Sequence, residues 1–419
     1  MSGAFMHRGF MLDVSRHFMP AGEVRRLLDG AALCGMNRMH WHLTDDQGWR
    51  IEIRKYPRLA EIGSRRGDTF FGGVSATENN NGFYTREEIR GIVSYAREKG
   101  IEIIPEIELP GHASALLAAY PEYGCRREGA GDGPGWPCGV QVSGGIFPNL
   151  VCAGKRETVR FLEDILDEVM ELFPFPMVHI GGDEAVKLHW RRCPDCRRRI
   201  REENLGDEDR LQRALVLEIG EYLKAHGRET VVWNDVLEGG LLPGHFVVQH
   251  WSGGEAATRA FMEQGGRVIV SDNAAYYLDY PYGTIDVRRI CEYPRIPAYA
   301  EGMKDRVLGI ECPLWTERIT NAKHAAWMLF PRMTAVGLKA GTSANLSWER
   351  MLGMVREMEP LLREIGLEGA PEEMWDMDPE SAEKDRQADL DRIYSPEALP
   401  YVRETERMLS EDRLERSRR

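Results

Sequence analysis

The sequence predicts an α/β protein, a (β/α)8 TIM barrel with appended C-terminal helices, on three observations. Short β-rich apolar runs recur along most of the chain, amphipathic stretches of helical spacing separate them, and polar or aromatic residues follow the end of each run. The runs are residues 8–14, 37–43, 101–107, 177–180, 230–233, 246–250, 267–270 and 307–311. Eight strands, each followed by a crossover, are the number that closes a parallel sheet into this barrel.

The helices are marked individually. Residues 21–34 follow Pro20, residues 85–99 open on a Thr85/Glu88 capping box, and residues 156–172 carry apolar side chains at helical spacing. No internal repeat is present, so the eightfold order is architectural only. Two long Gly-rich excursions, 55–83 and 120–151, leave from the C-terminal ends of the second and third strands, where barrels place substrate loops. Beyond about residue 352 the alternation stops and the chain turns charged and helical, which divides it into a barrel over 1–350 and a helical extension over 351–419 packed on it. That extension carries no motif tied to chemistry.

Composition narrows the function. The chain of 419 residues has 42% hydrophobic, 29% charged and 9% aromatic residues, the profile of a soluble globular protein. A net charge of −13 repels phosphate backbones and anionic membrane surfaces, so no nucleic-acid or membrane partner is expected. The basic runs at 191–192, 197–199 and 416–419 alternate with acids and read as solvated helix faces. The start has no apolar core of signal-peptide length, and cytoplasmic localisation is the expectation. Eight scattered cysteines are too sparse for a disulfide scaffold. Cys193 and Cys196 form a CxxC without a second one at finger-like spacing, so a local turn is expected there, with Cys125, Cys138 and Cys152 as candidate partners if the pair binds a metal.

Residues 179–185 (HIGGDEA) are the most informative segment. An apolar strand runs into two glycines, which let the backbone turn close to a ligand, and then presents Asp183 and Glu184. Taken alone, the pair is equally an acidic first helical turn. Its company decides the matter. Asp13 and Arg16 follow strand one, Asp45 and Asp46 strand two, Glu106, Glu108 and His112 strand three; Trp233, Asn234 and Asp235 follow strand five, Trp251 strand six, Tyr277 and Asp279 strand seven, Trp315 and Glu317 strand eight. A barrel places its catalytic side chains at those ends. Carboxylates and an arginine grip hydroxyl pairs, and Trp and Tyr faces cover the C–H faces of a sugar ring, whereas a phosphate ligand calls for a Gly-rich basic loop that is not evident. A neutral carbohydrate fits best.

Residues 8–18 (RGFMLDVSRHF), 40–50 (HWHLTDDQGWR), 108–112 (ELPGH), 179–184 (HIGGDE), 277–279 (YLD) and 315–317 (WTE), with Trp233 and Trp251, resemble family 20 of the glycoside hydrolases, the β-N-acetylhexosaminidases. The resemblance runs in order from residue 8 to about residue 350. It implies a retaining, substrate-assisted hydrolysis of terminal, non-reducing β-linked N-acetylglucosamine or N-acetylgalactosamine, with no cofactor and no catalytic metal. By the same resemblance Glu184 is the general acid and base, and Asp183 holds the N–H of the 2-acetamido group. Arg16 binds the 3- and 4-hydroxyls, Tyr277 the acetamido oxygen, and Asp279 and Glu317 the outer hydroxyls; Trp233, Trp251 and Trp315 wall the ring and acetamide. Asp45 and His112 support the catalytic pair. Family members commonly carry a small α/β domain ahead of the barrel, which is not expected here because the first strand begins by Arg8. Two other readings stand beside this one. His40 and His42 share a strand with spacing suited to a metal, His179 and His250 lie on other strands, and a metal-dependent barrel hydrolase follows from them; a non-catalytic sugar-binding barrel needs only the rim.

Overall fold

The computed structural model describes residues 4–67, 81–126, 136 and 138–417. Eight parallel strands close into a barrel: β1 (His7–Asp13), β2 (Arg38–His42), β3 (Glu102–Glu106), β4 (Met177–His179), β5 (Glu229–Trp233), β6 (Val247–His250), β7 (Arg267–Val270) and β8 (Val307–Leu314). Their spatial order follows the chain, and β8 returns to pair with β1 from His7↔Gly309 to Leu12↔Leu314. That pairing explains why β8 runs past the expected end at residue 311. The other strands fall within a residue or so of their expected ends. A two-stranded ribbon, Thr44–Asp45 with Gly48–Trp49, was not foreseen; it turns the chain back at the rim directly after β2.

Helices cover the outside: α1 (Ala21–Leu33), α2 (Arg86–Glu98), α3 (Arg156–Leu172), α4 (Leu188–Arg192), α5 (Pro194–Glu202), α6 (Glu208–Ala225), α7 (Glu255–Glu263), α8 (Val287–Glu292), α9 (Ala322–Leu329) and α10 (Arg332–Gly341). The capping box at Thr85 and Glu88 forms, each side chain meeting the other's backbone N–H. Parts of the two excursions, 68–80 and 127–135, lie outside the described residues. The extension forms α11 (Trp348–Glu364), α12 (Pro379–Ile393) and α13 (Leu399–Ser417).

Strand alternation sorts side chains between two environments. Phe10, Leu12, Met39, Trp41, Ile103, Val178, Val232, Val248, Val268 and Ile310 join the large apolar cluster under the helices. Val231, Val247, Ile269 and Leu308 form a small separate cluster inside the barrel. Nearer the C-terminal rim the interior is polar. Glu106 lies at its centre, with His40 Nε2 at 3.0 Å and His179 Nδ1 at 2.8 Å from its carboxylate, the indole of Trp233 donating to it at 3.0 Å, and His42 bonded to it as well. Glu311 takes His7 and His40, each at 2.8 Å, and Gln249 at 2.7 Å. Gly9 makes room for this, because a Cβ there would lie 2.5 Å from His7 Nε2 and 2.6 Å from Glu311.

Burial alone would raise the pKa of Glu106, but His179, His42 and His40 outweigh it and hold the carboxylate ionised. Burial likewise opposes charge on His40 and His42, and the carboxylates of Glu106 and its neighbours overcome it, pushing the two imidazoles to about 9 and about 10. Removing one side of a buried charge cluster strands the rest. Glu106→Ala is expected to cost ~3–5 kcal/mol of stability in chemical denaturation; a loss below ~1 kcal/mol would show that these histidines are not charged against it.

Candidate active site

The C-terminal rim holds a cavity of about 420 Å³ lined by Arg16, His112, Asp183, Glu184, Trp251, Tyr277, Asp279, Trp315 and Glu317, among others. Thus five strand-end loops and the β8 end converge on one space, as the sequence pattern requires. Asp45 and Trp233 are not among the lining residues. Both are nearly fully buried, at 2% and 1% exposure, because each is drawn into the charged barrel interior. Asp45 bonds His42 at 2.8 Å, and Trp233 bonds Glu106 and packs beside Trp315 with 6.0 Å between ring centroids.

The β4 turn is built for close approach. Gly181, Gly182 and Glu184 all have positive φ, at 64°, 110° and 48°. A Cβ on Gly181 would lie 1.9 Å from the Glu108 carboxylate, so only glycine passes there. Glu108 accepts from Gly182 N–H at 3.0 Å, and Gln212 of α6 donates to the Gly182 carbonyl at 2.7 Å. The left-handed conformation of Glu184 is uncommon outside glycine and sets its carboxylate into the cavity beside Asp183.

A line of alternating charge runs beneath. Arg16 reaches Asp45 at 2.8 Å, Asp13 at 3.2 Å and Glu317 at 3.5 Å, and its guanidinium lies 5.1 Å from the Trp315 ring centroid. Asp45 and Asp46 both meet His112 Nδ1 at 3.2 Å. The other nitrogen of His112 faces Asp183 at 3.8 Å and Glu184 at 3.7 Å. Burial opposes charge on His112, yet Asp45, Asp46 and Asp183 hold its pKa well above the usual value. Of the four histidines that the metal reading invoked, His40 and His179 come together on Glu106, close enough to share an ion with it, and His42 meets the same carboxylate, whereas His250 lies apart, bonded to Thr258 at 2.9 Å.

The two catalytic candidates are tuned the other way. Burial, reinforced by Asp235 and against the pull of His112, raises Asp183 to about 6. Burial also raises Glu184 to about 7, helped by Asp183 and Asp235 and opposed by His112 and Arg16. Asp279 is pushed up to about 7 by burial and then Glu317. Asp183 Oδ1 and Asp279 Oδ1 are buried with no hydrogen-bond partner among the described residues. Trp251 and Tyr277 stack at 6.0 Å, and Tyr277 stands 6.4 Å from Trp315, giving the cavity an aromatic side.

Two contributors were given no role from sequence. Asp235 accepts the Trp251 indole N–H at 2.7 Å and the Glu184 backbone N–H at 3.4 Å, linking wall to turn; its position at the end of strand five was the available signal. Ile393, Ala398, Tyr401, Val402, Thr405 and Glu406, from the end of α12 through α13, also line the cavity. The extension, which carries no motif tied to chemistry, therefore forms one side of the cavity. Arg318–Asp389, Arg191–Asp412 at 2.8 Å and Arg192–Glu411 at 2.7 Å hold it there. Nothing in its own sequence points to which surface it covers.

A parallel (β/α)8 barrel with an acid-rich, aromatic-sided pocket at the C-terminal rim defines the class: a carbohydrate-directed barrel. The chain belongs to glycosyl hydrolase family 20, whose catalytic-domain model matches residues 5–341. It is 37% identical over 362 residues to a beta-hexosaminidase of Porphyromonas gingivalis, with 82% of this chain and 43% of that protein covered, so it spans less than half of that relative's length. The crystal structure of a beta-N-acetylhexosaminidase from Bacteroides fragilis superposes with a TM-score of 0.76 at 32% identity, covering 88% of this chain and 73% of that one. An exo beta-N-acetylglucosaminidase from Vibrio harveyi in complex with N-acetylglucosamine superposes at 0.74 with 28% identity, covering 89% and 60%.

Because Asp235 is one of the charges that raise Glu184, Asp235→Asn should lower the Glu184 pKa. A carbon-13 carboxyl titration reads this directly, with the wild-type midpoint expected near 7. An unchanged or higher midpoint in the variant would remove Asp235 as a cause.

Proposed function

We propose that the chain is an exo-acting β-N-acetylhexosaminidase that releases terminal β-linked N-acetylglucosamine or N-acetylgalactosamine with retention, using the substrate's own acetamide as nucleophile. The observation that carries this reading is the state of Asp183. It sits beside Glu184 on one peptide, its Oδ1 is buried at the cavity without a partner among the described residues, and Trp251, Tyr277 and Trp315 line the same cavity. A ligand that brings an amide N–H to that oxygen and an apolar methyl and ring face to those aromatics satisfies both. Family membership and relatives named as hexosaminidases support the assignment.

In this reading Arg16 binds the 3- and 4-hydroxyls, its fork fixed by Asp13, Asp45 and Glu317. Asp279 and Glu317 take the outer hydroxyls. Tyr277 donates to the acetamido carbonyl oxygen, and Asp183 accepts from its N–H. That oxygen attacks the anomeric carbon as the glycosidic C–O bond breaks, and the Glu184 proton passes to the departing oxygen. The oxazolinium formed carries positive charge against the Asp183 carboxylate. Water then adds to the anomeric carbon, gives its proton to Glu184, and the acetamide is restored. Asp45 and Trp233 act through His112, Arg16 and Trp315 rather than by contact. Two neighbouring carboxylates approach a sugar from one side, which disfavours a direct acid and nucleophile pair facing each other at about 5–5.5 Å. We also propose a reducing, cytoplasmic setting, supported by eight cysteines none of which is paired in a disulfide.

A general acid titrating near 7 must be protonated to act, so kcat/KM should fall as pH rises through about 7. Glu184→Gln should abolish that limb and lower the rate on alkyl β-N-acetylglucosaminides by ~10²- to 10⁴-fold. Retention of full rate by the variant on such poor leaving groups would reassign the acid. Aryl β-glucosides lacking the acetamido group should be turned over at least ~10³-fold more slowly than their N-acetylated counterparts; comparable rates on both would rule out substrate assistance.

A further inference from the structure

Away from the rim, the structure gathers Cys125, Cys152, Cys193 and Cys196, whose sulfurs all lie within 4.8 Å of one another. Cys152 Sγ stands 3.7 Å from Cys193 Sγ and 3.7 Å from Cys196 Sγ, and Cys125 Sγ stands 3.9 Å from Cys196 Sγ. All four are buried, with Cys125 the most exposed at 6%. A disulfide would bring two sulfurs to about 2.05 Å. Four thiolates around a tetrahedral zinc at about 2.3 Å stand about 3.8 Å apart, edge to edge. The observed separations fit the second arrangement.

We propose that these four cysteines bind one structural Zn²⁺ as a closed tetrathiolate site. The cluster supplies four soft ligands, and its burial leaves no side open to substrate or solvent, which is the character of a structural rather than a catalytic zinc. Two of the ligands come from the CxxC at the start of α5. The other two sit on a separate excursion, where the bridge Gly124↔Val151 sets the residues that immediately precede each of them side by side. This is how single cysteines twenty-seven positions apart in sequence supply the second half of the site without forming a second CxxC. Cys138, the remaining candidate partner, instead lies 3.8 Å from the Ser114 carbonyl.

A zinc with four thiolates carries a net negative charge, and the surroundings answer it. Lys155 donates to the Glu122 and Gly124 carbonyls at 2.8 and 2.7 Å, and Arg199 donates to the Ala153 carbonyl at 2.8 Å. Arg126 and Arg198 converge on Asp195, inside the CxxC, at 2.6 and 2.9 Å. The site ties the loop after β3 to α4 and α5 after β4. Those same segments are bonded onward to the rim, since Val151 N–H donates to the Pro110 carbonyl at 3.0 Å and the Trp190 indole to the Val151 carbonyl at 2.9 Å. The zinc therefore braces the backbone that carries His112 and the Asp183–Glu184 turn, and it takes no part in the reaction. The proposal stands independently of the sugar assignment.

The test is elemental analysis of the untagged full-length protein by plasma mass spectrometry, with thiol titration in native and denaturing buffer. About one zinc per chain is expected, released only on denaturation or by a mercurial that attacks thiolates. Cobalt substitution should give the intense thiolate charge-transfer bands of a tetrahedral tetrathiolate. Cys193→Ser with Cys196→Ser should lose the metal and lower Tm by roughly 5 °C or more, whereas Cys138→Ser should keep both. Wild-type protein free of zinc, whether with four reducible thiols or with disulfides, would overturn the proposal; so would iron in place of zinc, or zinc retained by the double variant.

Discussion

The site depends on the placement of one buried anion. Asp45 holds Arg16 with one oxygen at 2.8 Å and His112 with the other at 3.2 Å, and also takes His42 at 2.8 Å. Burial would raise its pKa, but Arg16, His112 and His42 reverse that and keep it ionised well below the usual range. A single carboxylate thereby couples the loops after β1, β2 and β3. His112 carries the influence on to Asp183 and Glu184, lowering both while burial raises them, so the two acids settle near the pH at which a proton is easily moved. Without that cation beneath them, two adjacent half-desolvated carboxyls would drift toward the neutral form.

The same logic of opposed charges explains the barrel interior. Ordinary barrels fill their centre with branched apolar residues; here Val231, Val247, Ile269 and Leu308 pack in that way, and the layers above are rich in histidine and glutamate. Such a layer is costly to desolvate and stable only when complete. It also gives the rim a rigid polar floor on which Trp233, Trp315 and the β4 turn are fixed.

Much of this was legible in sequence, and the pattern of what was not is physical. Strands such as residues 177–180 and 267–270 are short, apolar and bounded by glycine or charge, so local chemistry determines them. Asp183 and Glu184 declared themselves because two glycines precede them at a strand end. Trp233 was found as a residue but its burial beneath the cavity was not, since a strand-end position does not tell whether a side chain faces the cavity or the interior beneath it. The α13 residues Tyr401 and Thr405 were invisible for a different reason: their helix is charged on most sides, and its position over the cavity is set by long-range pairs such as Arg191–Asp412. The cysteine cluster was half-seen, as a CxxC, because its other half is assembled by tertiary structure.

The account's central claim is that Asp183 orients a nucleophile belonging to the substrate. The most direct measurement is the inhibition constant of a thiazoline mimic of the oxazolinium ion for the wild type and for Asp183→Asn, compared with the affinity of each for plain glucose. The account predicts that the substitution weakens the thiazoline by ~100-fold or more while leaving glucose binding nearly unchanged, since only the cyclised acetamide meets that carboxylate. Equal loss for both ligands, or no loss for the thiazoline, would contradict it.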